Sequence, residues 1–254
     1  GSELLAEVAR LYPATVRIIL SGQCDRATVL KAVGPAHQFL TKPCDSESLK
    51  ATVAKACKLR DRLSNDALKQ LVSRTTSVPS LPEAYWRVLA ELEMPGASIQ
   101  RVADVIAQDV GMSAKVLQLT CSGFFGTPQR VSDPRRAASL FDLDTMRALF
   151  TTTETFCSPF DVMETLQGYS LEIVVQHGLV VAQNAKAIAE NEGCEPSLIE
   201  DAYLAGLLHD LGVLVFARHF PERYVDFLKT SRNDGAPIWT MEATAFQATH
   251  ADVG

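Results

Sequence analysis

"SIQRVADVIAQDVGMSAKVL" (residues 98–117) decides the fold class of most of this chain. Ile99, Val102, Ala103 and Ile106 recur at i, i+3, i+4 and i+7, which puts them on one stripe of a helix facing a core. Ser98, just before the stripe, suits an N-cap. The same helical period continues outward and predicts helices near 82–93, 113–121, 134–149, 170–191, 197–217 and 221–231. Pro79 and Pro82 in "SVPSLPEAY" (77–85) mark where this helical part begins, after a polar stretch that runs from Leu63. No internal repeat and no low-complexity tract interrupts it.

Upstream the pattern changes. Residues 1–62 alternate helix and strand. "TVRIILSG" (15–22) and "HQFLTKP" (37–43) are apolar runs that fit buried parallel strands. Glu3–Leu11, "DRATVLKAV" (25–33) and "DSESLKATVAKACKLRDRL" (45–63) are helical. Two parallel strands do not make a stable sheet alone. Further strands, or another chain, are therefore expected along the open edge. The fold class is mixed: a partial α/β piece at 1–62, a connecting helix or linker at 63–77, and an all-α domain at 78–254.

A chain of 254 residues with 47% hydrophobic and 21% charged residues has the balance of a globular protein. A net charge of −6, with Lys and Arg dispersed, argues against nucleic acid as a partner. No apolar run approaches membrane-spanning length and no leader pattern opens the chain, so no membrane role and a cytoplasmic location are expected. The opening Gly1-Ser2 looks like an expression remnant, so the natural start is expected upstream. Six cysteines, irregularly spaced and with no C-x-x-C pair, fit free thiols in a reducing compartment. Phosphate-binding P-loop, H-E-x-x-H and G-x-S-x-G motifs are all missing.

Residues 1–62 resemble the C-terminal half of a response-regulator receiver domain, which has a flavodoxin-like fold. The resemblance rests on Ser21 at the end of the first strand, on Lys42-Pro43 at the end of the second, and on Phe39 three positions before the lysine. In that family the serine and the lysine contact a phosphoryl group, the proline follows a cis bond, and the aromatic ring turns on activation. A hydroxyl and a cation suit an added phosphate with about two negative charges. The phosphorylated aspartate and the acidic pair of that family precede residue 1, and Asp25, Asp45 and Asp61 stand elsewhere. The four residues are therefore expected as phosphate-sensing remnants of a receiver cut short.

Residues 78–254 resemble an HDOD domain, an output module related to the HD phosphohydrolases and here incomplete at its C-terminal end. The stretches that carry this are "SLPEAY" (80–85), "SIQRVADVIAQDVGMSAKVLQLTCSGFFGTP" (98–128), "AGLLHDLG" (205–212) and "EATAFQATHADVG" (242–254). Cys121 replaces the usual asparagine, with only a local hydrogen bond expected to change, and "SGFFG" (122–126) fits a buried loop anchor.

The resemblance implies a metal question. HD phosphohydrolases hold metal with a histidine on one helix, an adjacent His-Asp on a later one and further ligands downstream. His177, His209, Asp210 and His250 fall at such positions, and three imidazoles with a carboxylate suit a divalent transition metal that would activate a water. The residues also have plainer readings. His177 shares a stripe with Ile173, Val180 and Val181, which fits a core histidine; His209 lies on a small-residue face with Ala202, Ala205 and Gly206; Asp210 can cap the next turn; His250 lies near the end. His37 and His219 have no metal partner in the pattern. The lysine of the phosphohydrolase "HDIGK" is Val213 here, and no "GYP" segment is present.

The expected function is two-component signalling through protein–protein contact. The partners are signalling proteins, with a histidine kinase for the intact protein, no catalytic residue and no cofactor. A helix from about Asp45 to Leu71 would relay the receiver's state. The rivals are an HD-type phosphohydrolase of nucleotides or cyclic dinucleotides and a homodimerisation module.

Overall fold

A computed structural model of the protein describes residues 2–12, 15–22, 36, 38–62, 78–121, 131–152, 171–234 and 236–254. Helix α1 (Ser2–Leu11) leads to strand β1 (Ile18–Ser21), which pairs in parallel with β2 (Gln38–Thr41). The register sets Ile18 against Gln38 and Ser21 against Thr41. The Lys42–Pro43 peptide is cis. Helix α2 (Ser46–Arg62) then starts on Asp45, whose carboxylate accepts the backbone N–H of Ser48 at 2.8 Å and its hydroxyl at 2.6 Å. The helix expected at 25–33 and the linker at 63–77 lie outside the described residues, as does "SGFFG" (122–126).

Helices α3 (Pro82–Glu93), α4 (Ile99–Ile106) and α5 (Val110–Cys121) wrap the main core. Its centre is Val88, Leu92, Val102, Ile106, Met112 and Val116, with Ile19 of β1 packed at its margin. Val102, Ala103 and Ile106 of the α4 stripe are thus buried and Ile99 half-buried against the same core, the side that the spacing predicts. Ser98 holds the N-cap position, but its hydroxyl bonds Gln100 instead of capping the backbone. Asp109 is the lock of this half. Its Oδ1 accepts the N–H of Met112 and its Oδ2 that of Leu81, both at 2.7 Å, tying α5 to the entrance of α3. Burial pushes the Asp109 carboxyl up to about 6, against those backbone hydrogen bonds.

Two long helices expected from the period are each broken by an aspartate. The stretch 134–149 forms α6 (Pro134–Ala138) and α7 (Leu143–Thr152). Asp133 caps the first through the N–H groups of Arg135 and Arg136, and Asp142 accepts the N–H of Thr145 at 2.7 Å to start the second. After α8 (Leu171–Asn191), the stretch 197–217 divides into α9 (Pro196–Leu208) and α10 (Leu211–His219). The break falls on His209-Asp210, where Asp210 has φ −103° and ψ 17°. α11 (Pro221–Asp234), α12 (Ile238–Phe246) and α13 (His250–Val253) complete the chain; the last two were not expected.

Small residues set the approach of these helices. A side chain on Gly206 would come within 2.7 Å of the Ala182 Cα, so α8 and α9 lie backbone to backbone. A side chain on Gly212 would run into the carbonyl of His250, which brings α13 onto the start of α10. Phe216, Tyr224 and Phe246 stack beneath at ring separations of 5.0 to 5.6 Å. No helix among the described residues is long and apolar enough to cross a membrane.

Candidate metal centre

Asp210 is the hub. Helix α9 ends at Leu208, two residues before it, and the next helix starts at Leu211. Asp210 caps no backbone N–H, contrary to the expectation that it would serve the next turn. Instead it faces three imidazoles from three parts of the chain. The Nε2 of neighbouring His209 lies 3.2 Å from Oδ1, that of His250 on α13 3.6 Å from Oδ1, and that of His177 on α8 3.8 Å from Oδ2. One ligand atom each from His177, His209 and Asp210 falls within 4.8 Å of the others.

The residues behind the imidazoles fix their orientation. His209 Nδ1 is 2.8 Å from the Gly206 carbonyl, which can only accept, so this nitrogen carries the proton. His250 Nδ1 is 2.6 Å from Glu242 Oε2, which also accepts the His250 backbone N–H at 2.9 Å. The Tyr224 hydroxyl donates to the other Glu242 oxygen at 2.8 Å. Both histidines therefore turn Nε2 toward Asp210. A carboxylate behind a histidine is the usual support of a metal ligand. Neutral imidazoles arranged this way point lone pairs at an anion. The pocket is then favourable only with a proton or a cation between them. Glu242 raises the His250 imidazole above its ordinary value; burial opposes this, and Asp210 adds to it.

Of the expected four residues, His177, His209 and Asp210 can offer ligand atoms to one ion, a donor set that suits a divalent transition metal, and His250 joins them through Asp210, with its Nε2 3.6 Å from Oδ1. A further expectation about them does not hold. His177 is no core histidine: its side chain is 55% exposed, with Ile173 and Val180 beside it also exposed. α8 is apolar on both faces, so periodicity alone does not tell which one is inward. His250 is the least exposed of the four at 16%. Reading the sequence missed Glu242, fully buried, and Tyr224. The available signal was an acid set between Met241 and Ala243 eight positions before His250. At the lysine position of the phosphohydrolases, Val213 is buried in the apolar cluster of Phe216 and Val253. In the sheet region Lys42 and Pro43 are exposed, while the side chains of Ser21 and Phe39 lie outside those described. Cys121 reaches the Val131 carbonyl at 3.5 Å. Among the described residues Cys44, Cys57, Cys121 and Cys194 are free.

The described part of residues 78–254 is a helical bundle with an adjacent His-Asp at a helix break and imidazoles from flanking helices turned onto the Asp. Residues 78–254 match the HDOD domain family, and the chain belongs to that family. It is 24% identical over 187 residues to an uncharacterized protein of Treponema pallidum, covering 72% of this chain. The chain spans only 35% of the length of that relative. Among solved structures it is similar in fold to the MmoQ response regulator of Methylococcus capsulatus, with a TM-score of 0.54 at 18% identity, covering 70% of this chain and 68% of the other. A structure of residues 20–298 of the same regulator gives a TM-score of 0.52 at 20% identity, covering 70% and 66%.

Proposed function

We propose that the protein is a cytoplasmic two-component signalling protein whose HDOD domain works by protein–protein contact. The observation that carries this reading is Val213. An apolar side chain packed into the core stands where phosphohydrolases place a lysine, so this position offers a phosphate no charge. In the same reading, residues 1–62 are the end of a receiver domain, supported by the parallel strand pair and by Lys42-Pro43 at the end of β2. A histidine kinase would act on the intact protein, and α2 would pass the receiver's state to the bundle. Neither nucleic acid nor membrane is a partner. The test is Ala56→Pro in the full-length protein, which breaks α2. Activation of the receiver should change hydrogen exchange in residues 78–254 of the natural protein and not in the variant. Equal changes in both would reject the relay.

A second reading, metal-dependent phosphohydrolysis of a nucleotide or cyclic dinucleotide, is favoured by one observation: the inward-facing Nε2 atoms around Asp210. His177, His209, Asp210 and His250 would hold the ion, which would supply an activated water. Glu242 would keep His250 in the ligating tautomer. Elemental analysis before and after His209→Ala tests this. A stoichiometric metal lost in the variant supports a metal centre, and a metal-free folded protein removes it.

A further inference from the structure

Helix α8 carries only three charged residues in its 21, Glu172, Lys186 and Glu190. Its core face is Val175, Gly178, Ala182 and Ala189. The opposite face runs Ile173, His177, Val180, Asn184, Ala187 and Asn191, all exposed and none an acid, lysine or arginine. Ile188, 63% exposed, flanks it. An outward helix face over this length is normally charged, because water solvates it. The positions alternate in steps of four and three, the 3.5-residue period of a coiled-coil seam. Over about 27 Å, Ile173, Val180 and Ala187 form one row and His177, Asn184 and Asn191 the other.

We propose that this face is the contact between two copies of the chain, packed as a parallel pair in register about a two-fold axis. The occupant follows from Asn184. It lies in the middle of the seam between Val180 and Ala187. A different apolar helix laid on it would bury the amide without a partner, at a cost of about 1–3 kcal/mol. A second copy in register presents another Asn184, and the two amides bond each other, which is how a seam asparagine selects a parallel dimer. The area is consistent with this. The exposed seam offers roughly 600 Å² per copy, so the pair buries about 1,200 Å², the lower end for a specific interface.

Self-association through this seam shares His177 with the cluster around Asp210, but it is tested on residues outside that cluster, Val180 and Asn184. Sedimentation of the chain from about 1 to 200 µM should show a monomer converting to a dimer. Val180→Glu sets two carboxylates face to face on an already exposed position, so it should leave the helical circular dichroism unchanged and give a monomer throughout. Asn184→Cys should form, under mild oxidation, a disulfide between the two copies of position 184, identified by peptide mapping and so told apart from any link through the natural cysteines such as exposed Cys121. A natural chain that is monomeric at every concentration overturns the proposal. So does a dimer that survives Val180→Glu. A dimer that Asn184→Cys does not cross-link overturns the parallel register.

Discussion

Asp109 and Asp210 are both carboxylates at helix junctions, and they do opposite things. Asp109 is fully buried and answered by the backbone N–H groups of Leu81 and Met112. Asp210 keeps a quarter of its side chain exposed and is answered by imidazoles from α8, from its own junction and from α13. A carboxylate satisfied by backbone amides builds the fold. One on which titratable side chains converge from distant parts of the chain has an arrangement that stability alone does not call for. Both sit in helical sequence as an acid after an apolar run, so the difference lies in the partners and not in the residue.

The largest expected effect separates the two by stability. Asp109→Ala strands two buried N–H donors and should cost about 3–5 kcal/mol. Asp210→Ala should change stability by less than about 1 kcal/mol, since its ring partners keep their Gly206 and Glu242 bonds. Urea unfolding of both variants decides this, and similar losses would erase the contrast.

The next effect is pH. The folded Asp109 carboxyl is pushed up to about 6, above its ordinary 3.8, so the fold binds its proton more tightly than the unfolded chain. Its contribution is fully present below the unfolded value and is lost as pH rises through about 6. The free energy of unfolding should fall over that window by an amount of order 3 kcal/mol. Asp109→Asn should remove this part of the pH dependence, whereas Asp210→Asn should keep it. Stability that instead rises between pH 4 and 6 as strongly in the natural protein as in Asp109→Asn would contradict the assignment.

A smaller effect tests the geometry around Asp210. Gly212→Ala drives a methyl into the His250 carbonyl and should cost about 2 kcal/mol while displacing α13. Metal affinity, if a metal binds, should fall with it. At the bottom of the scale, Lys42→Ala is exposed and should change stability by less than about 0.5 kcal/mol.

These contrasts also show what the sequence could convey. α3 was legible to the residue because Pro82 starts it and Met94-Pro95-Gly96 stops it. That His177, His209 and His250 would lie near Asp210 was legible because the family spacing carried over. The breaks at Asp142 and at His209-Asp210 were not legible. The apolar period runs through both, and what marks them is a cap that starts α7 in one case and imidazoles gathered on Asp210 in the other. The face of His177 was misjudged because Ile173 and Val180 make the outer side of α8 look like a core side. Glu242 escaped notice because nothing local to α12 announces that Tyr224 and His250 will close on it.

The contact-module account is tested most directly by turnover. The full chain, loaded separately with manganese, ferrous iron and zinc, would be incubated with bis(p-nitrophenyl) phosphate and with a cyclic dinucleotide, beside Asp210→Ala under the same conditions. The account predicts the same background rate for both proteins. Hydrolysis by the natural chain that Asp210→Ala abolishes would contradict it and make the His-Asp cluster an active site.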